Sequence, residues 1–358
     1  MRFRADGFWA NLRLPSDRGK ERPAAKGPKP NEVRPLTATT GRRGQPQPAT
    51  RENIEMAATI LRAGGLVALP TETVYGLAAD ATNGEAVARI FQVKGRPRFN
   101  PLICHVTDGE AARMIVDVPL AAEELIEAFW PGPLTLVLPR LPDAPIADLV
   151  TAGLDTLAVR APAHSVARQL LYAVDRPLAA PSANPSGTVS PTTAGHVADG
   201  LGDRVDLILD GGPCGIGLES TIVAVADDAL VLLRPGSITQ ADLHEATGAP
   251  VRAHDGDVVN APGQLKSHYA PRARLRLNAT EKHDDELLIG FGDVDGDLNL
   301  SPAGGVVEAA SRLFRYLREA DAAIENRGRG TIAVAPIPGR GVGIAINDRL
   351  QRAAARED

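Results

Sequence analysis

Residues 69–105 read LPTETVYGLAADATNGEAVARIFQVKGRPRFNPLICH. Just upstream, Val67-Ala68-Leu69 follows Gly64-Gly65 and stops at Pro70, which predicts a short buried strand that releases the chain into a polar turn. Thr71, Glu72, Thr73 and Tyr75 stand at that strand's exit, where loops of open sheets carry ligands. From Glu85 to Phe91 the apolar residues fall at helical spacing, so the segment predicts a helix that delivers Lys94 and Arg96 at its C-terminal end, where cations are favoured. Pro97 and Pro101 stiffen the next loop, Asn100 offers an amide, and Ile103-Cys104-His105-Val106 resumes as a strand. Two readings of the basic pair are open: a solvated helix end, or an anion site toward which His105 also points. His105 itself is either a satisfied core histidine or a ligand.

Working outward, strands and helices alternate from Ile54 to Arg234. The predicted strands are Leu66–Leu69, Leu102–Val106, Leu134–Leu138, Thr156–Arg160, Leu178–Ala180, Leu207–Leu209, Thr221–Val225 and Leu230–Arg234. Predicted helices include Ile54–Ala63, Gly84–Val93, Ala121–Trp130, Ser165–Ala173 and Thr193–Leu201. Many strands with few crossover helices predict a mixed, twisted sheet. Residues 237–272, with several Gly and Pro, read as a structured linker. Beyond them a strand at Glu286–Gly290, a helix at Val306–Ala320, a strand at Thr331–Ala335 and a helix near Ile344–Ala355 form a small α/β unit over residues 273–358. Gly339-Arg340-Gly341-Val342-Gly343 lacks dinucleotide-loop spacing and reads as a turn.

At 358 residues with 44% hydrophobic composition, the chain is long enough for two domains with sizeable cores. No stretch approaches the ~18 consecutive apolar residues of a membrane span, and the N-terminus lacks a secretory core, so a soluble, cytoplasmic protein without membrane partners is expected. Cys104 and Cys214 are the only cysteines, which excludes a disulfide framework or a cysteine zinc cluster. Residues 1–50 carry eleven Lys/Arg against four Asp/Glu, a net +7 within a whole-chain −5, leaving −12 for residues 51–358. Residues 1–51 therefore read as a disordered basic extension, and the acidic remainder argues weakly against tight non-specific nucleic-acid binding, leaving open a weak RNA contact through a local patch of Arg89, Lys94, Arg96 and Arg98.

There is no Walker-type Gly-x-x-x-x-Gly-Lys-[Ser/Thr], no His-Glu-x-x-His and no Gly-x-Ser-x-Gly. What remains are cations and hydroxyl-rich turns: Lys94, Arg96, Arg160, Arg234, Ser182, Ser190 and Ser220. Arg160 and Arg234 each finish an apolar strand, either as a surface rim or as planar clamps for carboxylate or phosphate. Residues 181–187 and 211–221 are small-residue turns, either ordinary loops or places where phosphates approach backbone N–H groups. The inventory suits substrates bearing phosphate and carboxylate, handled by positioning and charge neutralisation.

Taken together, PTETVYGL at 70–77, KGRPRFNPL at 94–102 followed by His105, SANPSG at 182–187, LESTI at 218–222 and KSHYAP at 266–271 resemble the L-threonylcarbamoyladenylate synthase family. The resemblance covers Ile54 to Arg352, with five motifs in order. It implies a YrdC-like α/β domain at 52–236, a twisted mixed sheet with helices around a concave site, then the linker and a small Rossmann-like α/β domain. The implied activity condenses L-threonine, bicarbonate or CO2, and ATP into L-threonylcarbamoyladenylate and pyrophosphate, with Mg²⁺ held mainly through ATP. That product feeds threonylcarbamoylation of the tRNA adenosine 3′ of the anticodon, by downstream transfer enzymes as partners. Motif matching carries threonine recognition to Thr73, His105, Arg160, Ala180 and Ser220. It carries the nucleotide to Lys94, Arg96, Asn100, Thr156, Ser182, Ser190, Arg234 and Tyr269. No protein nucleophile or metal ligand is implied; Lys94 and Arg96 are the candidates for charge stabilisation, and Tyr269 for a lid over the phosphates. The competing readings are a non-catalytic RNA-binding or ribosome-assembly module of the same fold, and a carbamoyl-transfer maturation protein, whose cysteine-rich zinc modules are absent here.

Overall fold

This computed structural model describes residues 43–226, 229–254, 267–328 and 330–355, which form two sheets. The strands of the larger sheet are β1 (Pro46–Pro48), β2 (Val67–Leu69), β3 (Gly76–Asp80), β4 (Ile103–His105), β5 (Leu134–Pro139), β6 (Thr156–Arg160), β7 (Leu178–Ala179), β8 (Leu207–Asp210), β9 (Thr221–Val225), β10 (Leu230–Arg234) and β11 (Val251–Ala253). They lie in the order β1-β8-β2-β3-β7-β4-β6-β5-β9-β10-β11. Parallel pairs such as β4 with β6 and β5 with β9 alternate with antiparallel ones such as β2 with β3 and β5 with β6. The sheet is mixed, as the sequence predicts.

Three of these strands escape the sequence reading. β3, Gly-Leu-Ala-Ala-Asp, has no β-branched residue; it forms because it is sandwiched antiparallel between β2 and β7, with Val67 opposite Ala78 and Ala79 opposite Ala179. β1 lies inside the extension expected to lack structure through Arg51, and pairs in parallel with β8. The amide of Ala49 also donates to the Asp210 carbonyl at 3.0 Å. The rest of that extension, residues 1–42, lies outside the described residues. β11 and the helix Gln240–Thr247, started by a Thr239–Asp242 capping box, occupy the expected linker, so the large sheet continues through Ala253. Residues 255–266 of that linker lie outside the described residues.

The helix Arg51–Arg62 buries Ile54, Ala57, Ala58 and Leu61, a stripe at helical spacing, with Thr50 capping its first turn. That stripe packs in one cluster with Ala167, Leu170, Leu171 and Val174 of the helix Ser165–Val174, covering β2 and β8. The smaller sheet is wholly parallel, in the order β12 (Arg274–Leu277), β15 (Thr331–Val334), β13 (Glu286–Gly290), β14 (Leu298–Asn299). The helices Val306–Arg327 and Val342–Ala354 cover it; Gly341 of the glycine-rich turn caps the second, and Gly343 already belongs to it. The two units share apolar contacts: Val74, Val189 and Leu218 of the first lie in one buried cluster with Leu313, Phe314, Ile346 and Tyr269. Gly217 lies so near the long helix that a Cβ there would stand 2.6 Å from the Ser311 Cα. Among the described residues, no helix is long and apolar enough to cross a membrane.

Candidate active site

β4 and β6 run parallel with His105 opposite Arg160, so both side chains leave the same face at the strands' C-terminal ends. Above them the turn after β2 closes on itself: the Thr71 hydroxyl donates to the Val74 carbonyl at 2.6 Å and accepts from the amides of Thr73 and Val74. That turn hands two groups to Arg160. The guanidinium donates to Thr73 Oγ1 at 2.9 Å, to Glu72 Oε1 at 2.5 Å and to the Gly132 carbonyl at 3.1 Å. The other Glu72 oxygen accepts from the amides of Ala163 and His164. Burial pushes the Glu72 carboxyl up, and Arg160 with these amides outweighs it, holding the group ionised below the usual carboxylate range. Burial, then the Arg160 charge, drives His105 down to about 3, so its imidazole is neutral, with Nδ1 3.3 Å from the Ile103 carbonyl.

The helix Gly84–Lys94 ends on Gly95 at φ +61, a left-handed cap that turns the chain inward. Lys94 and Arg96 are consequently 4% and 8% exposed, which removes the solvated-helix-end reading. Lys94 Nζ donates to the carbonyls of Ser182 and Asn184, both at 2.5 Å, and so braces the SANPSG turn. Arg96 donates to the Asn100 side chain and to the Pro101 carbonyl, each at 2.7 Å. Burial, with Arg96 nearby, brings Lys94 well below the usual lysine range, and burial lowers Arg96 to about 10. Arg234, at the end of β10, donates to the Ser220 carbonyl and hydroxyl at 3.0 and 3.2 Å, while Thr135 holds that hydroxyl at 2.7 Å.

These groups enclose one cavity, lined by Thr73, His105, Arg160, Ala180 and Ser220 together with Arg96, Ser182, Arg234 and Tyr269. Lys94, Asn100, Thr156 and Ser190 do not line it. Asn100 stands behind Arg96, and Ser190 behind Glu219, whose carboxylate it reaches at 2.5 Å. Thr156 starts β6, four residues and about 13 Å from Arg160. The Ala180 amide is already given to the Ile103 carbonyl. Sequence reasoning missed Thr135, Glu219 and His268, and named Glu72 without its partner. Both thiols are buried and pushed up, Cys214 to about 12, which leaves no activated cysteine.

Two family models cover most of the chain: one described as "Telomere recombination" matches residues 59–236, and the threonylcarbamoyl-AMP synthase C-terminal domain matches 238–355. Threonylcarbamoyl-AMP synthase of Pyrococcus abyssi is 40% identical over 325 residues, 84% of this chain and 94% of that one. The chain belongs to the threonylcarbamoyl-AMP synthase family. The Bacillus subtilis member is 42% identical over 326 residues, 84% of this chain and 92% of that one. The crystal structure of P. abyssi Sua5 complexed with L-threonine superposes with a TM-score of 0.78 at 38% identity, covering 85% of this chain and 95% of that one.

The cavity at this site is small. The cavity encloses about 50 Å³, whereas pockets that hold small-molecule ligands run from roughly 300 Å³ upward. Tyr269, at φ +63 and 1% exposed, fills the roof and stacks on Phe314 with ring centroids 5.6 Å apart. The neighbouring His268 ring lies 4.0 Å away; burial and the surrounding cations hold it well below the usual histidine range, so it is neutral too. With Lys94 and Arg96 buried, two of the three cations that the RNA-binding alternative sets against phosphates are withdrawn from the surface, and Arg98 is the one left exposed.

Proposed function

We propose that this chain is an L-threonylcarbamoyladenylate synthase that condenses L-threonine, bicarbonate or CO2, and ATP, and supplies its product to the threonylcarbamoylation of tRNA. The observation that carries this reading is the single cavity that joins the Arg160–Thr73–His105–Ser220 group to Arg96 and Arg234 under Tyr269. Arg160 pairs the threonine carboxylate; Thr73, neutral His105 and Ser220 read the amine and hydroxyl. The neutral threonine amine adds to CO2 and gives up a proton to solvent, forming a carbamate whose oxygen attacks the α-phosphorus while the bond to the oxygen bridging to the β-phosphate breaks and pyrophosphate leaves. Arg96 and Arg234 neutralise the phosphates, and Lys94 fixes the turn on which they rest, so catalysis consists of positioning and charge stabilisation.

Among the described residues Glu219 is the sole carboxylate lining the cavity, and they offer no group of three metal-ligating side chains. This donor set suits Mg²⁺ carried in on the nucleotide's phosphates. A nucleotide does not fit 50 Å³, so the His268–Tyr269 segment opens to admit it and closes to keep water from the carbamate.

The test is pyrophosphate release from ATP and Mg²⁺ with L-threonine and bicarbonate added singly and together, and L-serine as control. Release that needs both, and is lost in Arg160→Ala, is expected. Folded protein that binds nucleotide yet shows no threonine dependence would overturn the assignment.

A further inference from the structure

The helix Val342–Ala354 buries Ala345, Ile346, Leu350 and Ala353, and the same face carries Arg349, which is fully buried. A core position of this spacing calls for an apolar residue. Arg349 instead reaches out of its own unit: Nε donates to Glu219 Oε2 at 2.9 Å, Nη1 to Asp348 at 2.7 Å, and the guanidinium carbon lies 5.3 Å from the centre of the Tyr269 ring. Its Nη2 is buried without a hydrogen-bond partner among the described residues. Glu219 faces the cavity, and burial, which alone would raise its carboxyl, is outweighed by Arg349 and then Arg234. A buried ion pair with an unsatisfied donor is poor value as a stabiliser, because a well-packed apolar side chain of similar volume does as well or better. Its use here is therefore placement.

We infer that Arg349 is a positioning residue: its guanidinium, supplied by the C-terminal unit, holds Glu219 away from Arg234 and clamps the Tyr269 ring in the closed site. Without it, the Glu219 carboxylate is left with Arg234, the other cation whose charge already acts on it, and competes for the group assigned to the phosphates. The second unit thus stands directly behind the pocket's wall, bracing it through Glu219 and Tyr269. The inference rests on the reading of this cavity as a nucleotide site, and it predicts a specific rescue: neutralising Glu219 repairs nucleotide binding in the absence of Arg349.

The experiment uses the full chain carrying Arg349→Met, Glu219→Gln, both together, and Arg349→Lys. In Arg349→Met, KM for ATP is expected to rise about tenfold or more while KM for threonine stays within about threefold, and the double variant returns KM for ATP to within about threefold of wild type. Hydrogen exchange of residues 267–270, measured without substrates, is expected to accelerate about tenfold in both variants that lack Arg349, with the peptide over 51–62 unchanged. If Arg349→Met does not fold, Arg349→Lys serves. Its ammonium neutralises Glu219 without spanning to the tyrosine ring, so KM for ATP stays within about threefold while exchange at 267–270 rises.

An elevated KM for ATP that persists in the double variant overturns the inference. So does exchange at 267–270 that matches wild type in a folded variant. Wild-type protein that releases no threonine-dependent pyrophosphate sinks the synthase reading alone, since the exchange measurement still decides the role of Arg349.

Discussion

His105 makes the stability of this protein depend on pH in a calculable way. Its imidazole is 5% exposed and, through burial and the Arg160 charge, titrates at about 3 in the folded chain, against about 6.5 when unfolded. The unfolded chain therefore takes up the proton first. The stability tied to the neutral ring is complete above about pH 7 and is lost as pH falls from about 6.5 toward 3, at up to about 1.4 kcal/mol per pH unit. Between pH 8 and pH 5 the loss amounts to about 2 kcal/mol. His105→Gln removes this titration, while His164, His196 and His268, whose values also lie below the usual histidine range, contribute equally to both proteins and cancel. The assay is urea unfolding at pH 8, 7, 6 and 5, followed by the fluorescence of Trp130 in the same unit. Wild type is expected to be the more stable at pH 8, and its advantage to shrink by about 2 kcal/mol at pH 5. A gap that stays constant from pH 8 to pH 5, or a His105 ring resonance that titrates near 6.5, would refute the reasoning and restore an imidazolium to the site.

Three further outcomes are expected. Tyr269→Ala opens the roof, so threonine-dependent pyrophosphate release should fall by about tenfold or more while ATP affinity by calorimetry changes by less than about threefold; unaltered turnover removes the lid. Glu72→Ala leaves Arg160 buried without its carboxylate and frees the amides of Ala163 and His164, so KM for threonine should rise about tenfold or more, with KM for ATP nearly constant in the same assay. Gly217→Ala forces a Cβ onto the helix at Ala310 and Ser311 from a backbone at φ +78, and should lower unfolding free energy by about 2 kcal/mol in urea titration and weaken activity through the adjoining Glu219–Ser220 loop.

The strands Thr156–Arg160, Thr221–Val225, Leu230–Arg234 and Glu286–Gly290 were legible to the residue, because each is an apolar run rich in Val, Ile or Leu bounded by turn residues. β3 was not, since Gly-Leu-Ala-Ala-Asp owes its pairing to neighbours on both sides rather than to local propensity. In the site, the cations and hydroxyls showed in the sequence. Their counter-charges did not: Glu72 meets Arg160 and Glu219 meets Arg349 across distances in sequence that no local pattern spans. Lys94 and Ser190 illustrate the same limit. Lys94 opens a recognisable motif and Ser190 follows another three residues on, yet one braces a turn and the other holds a carboxylate, which is decided by packing alone.

The first strand guards the sheet to which it belongs. Because the Ala49 amide points inward to Asp210, the alternation of a strand turns the nitrogens of Pro46 and Pro48 outward, and neither carries a hydrogen. Among the described residues this strand borders the sheet, and its two prolines remove the outward donors that a second copy of the chain approaching that side would pair with. Replacing both prolines would give the protein an adhesive rim, with self-association rather than lost activity as the symptom.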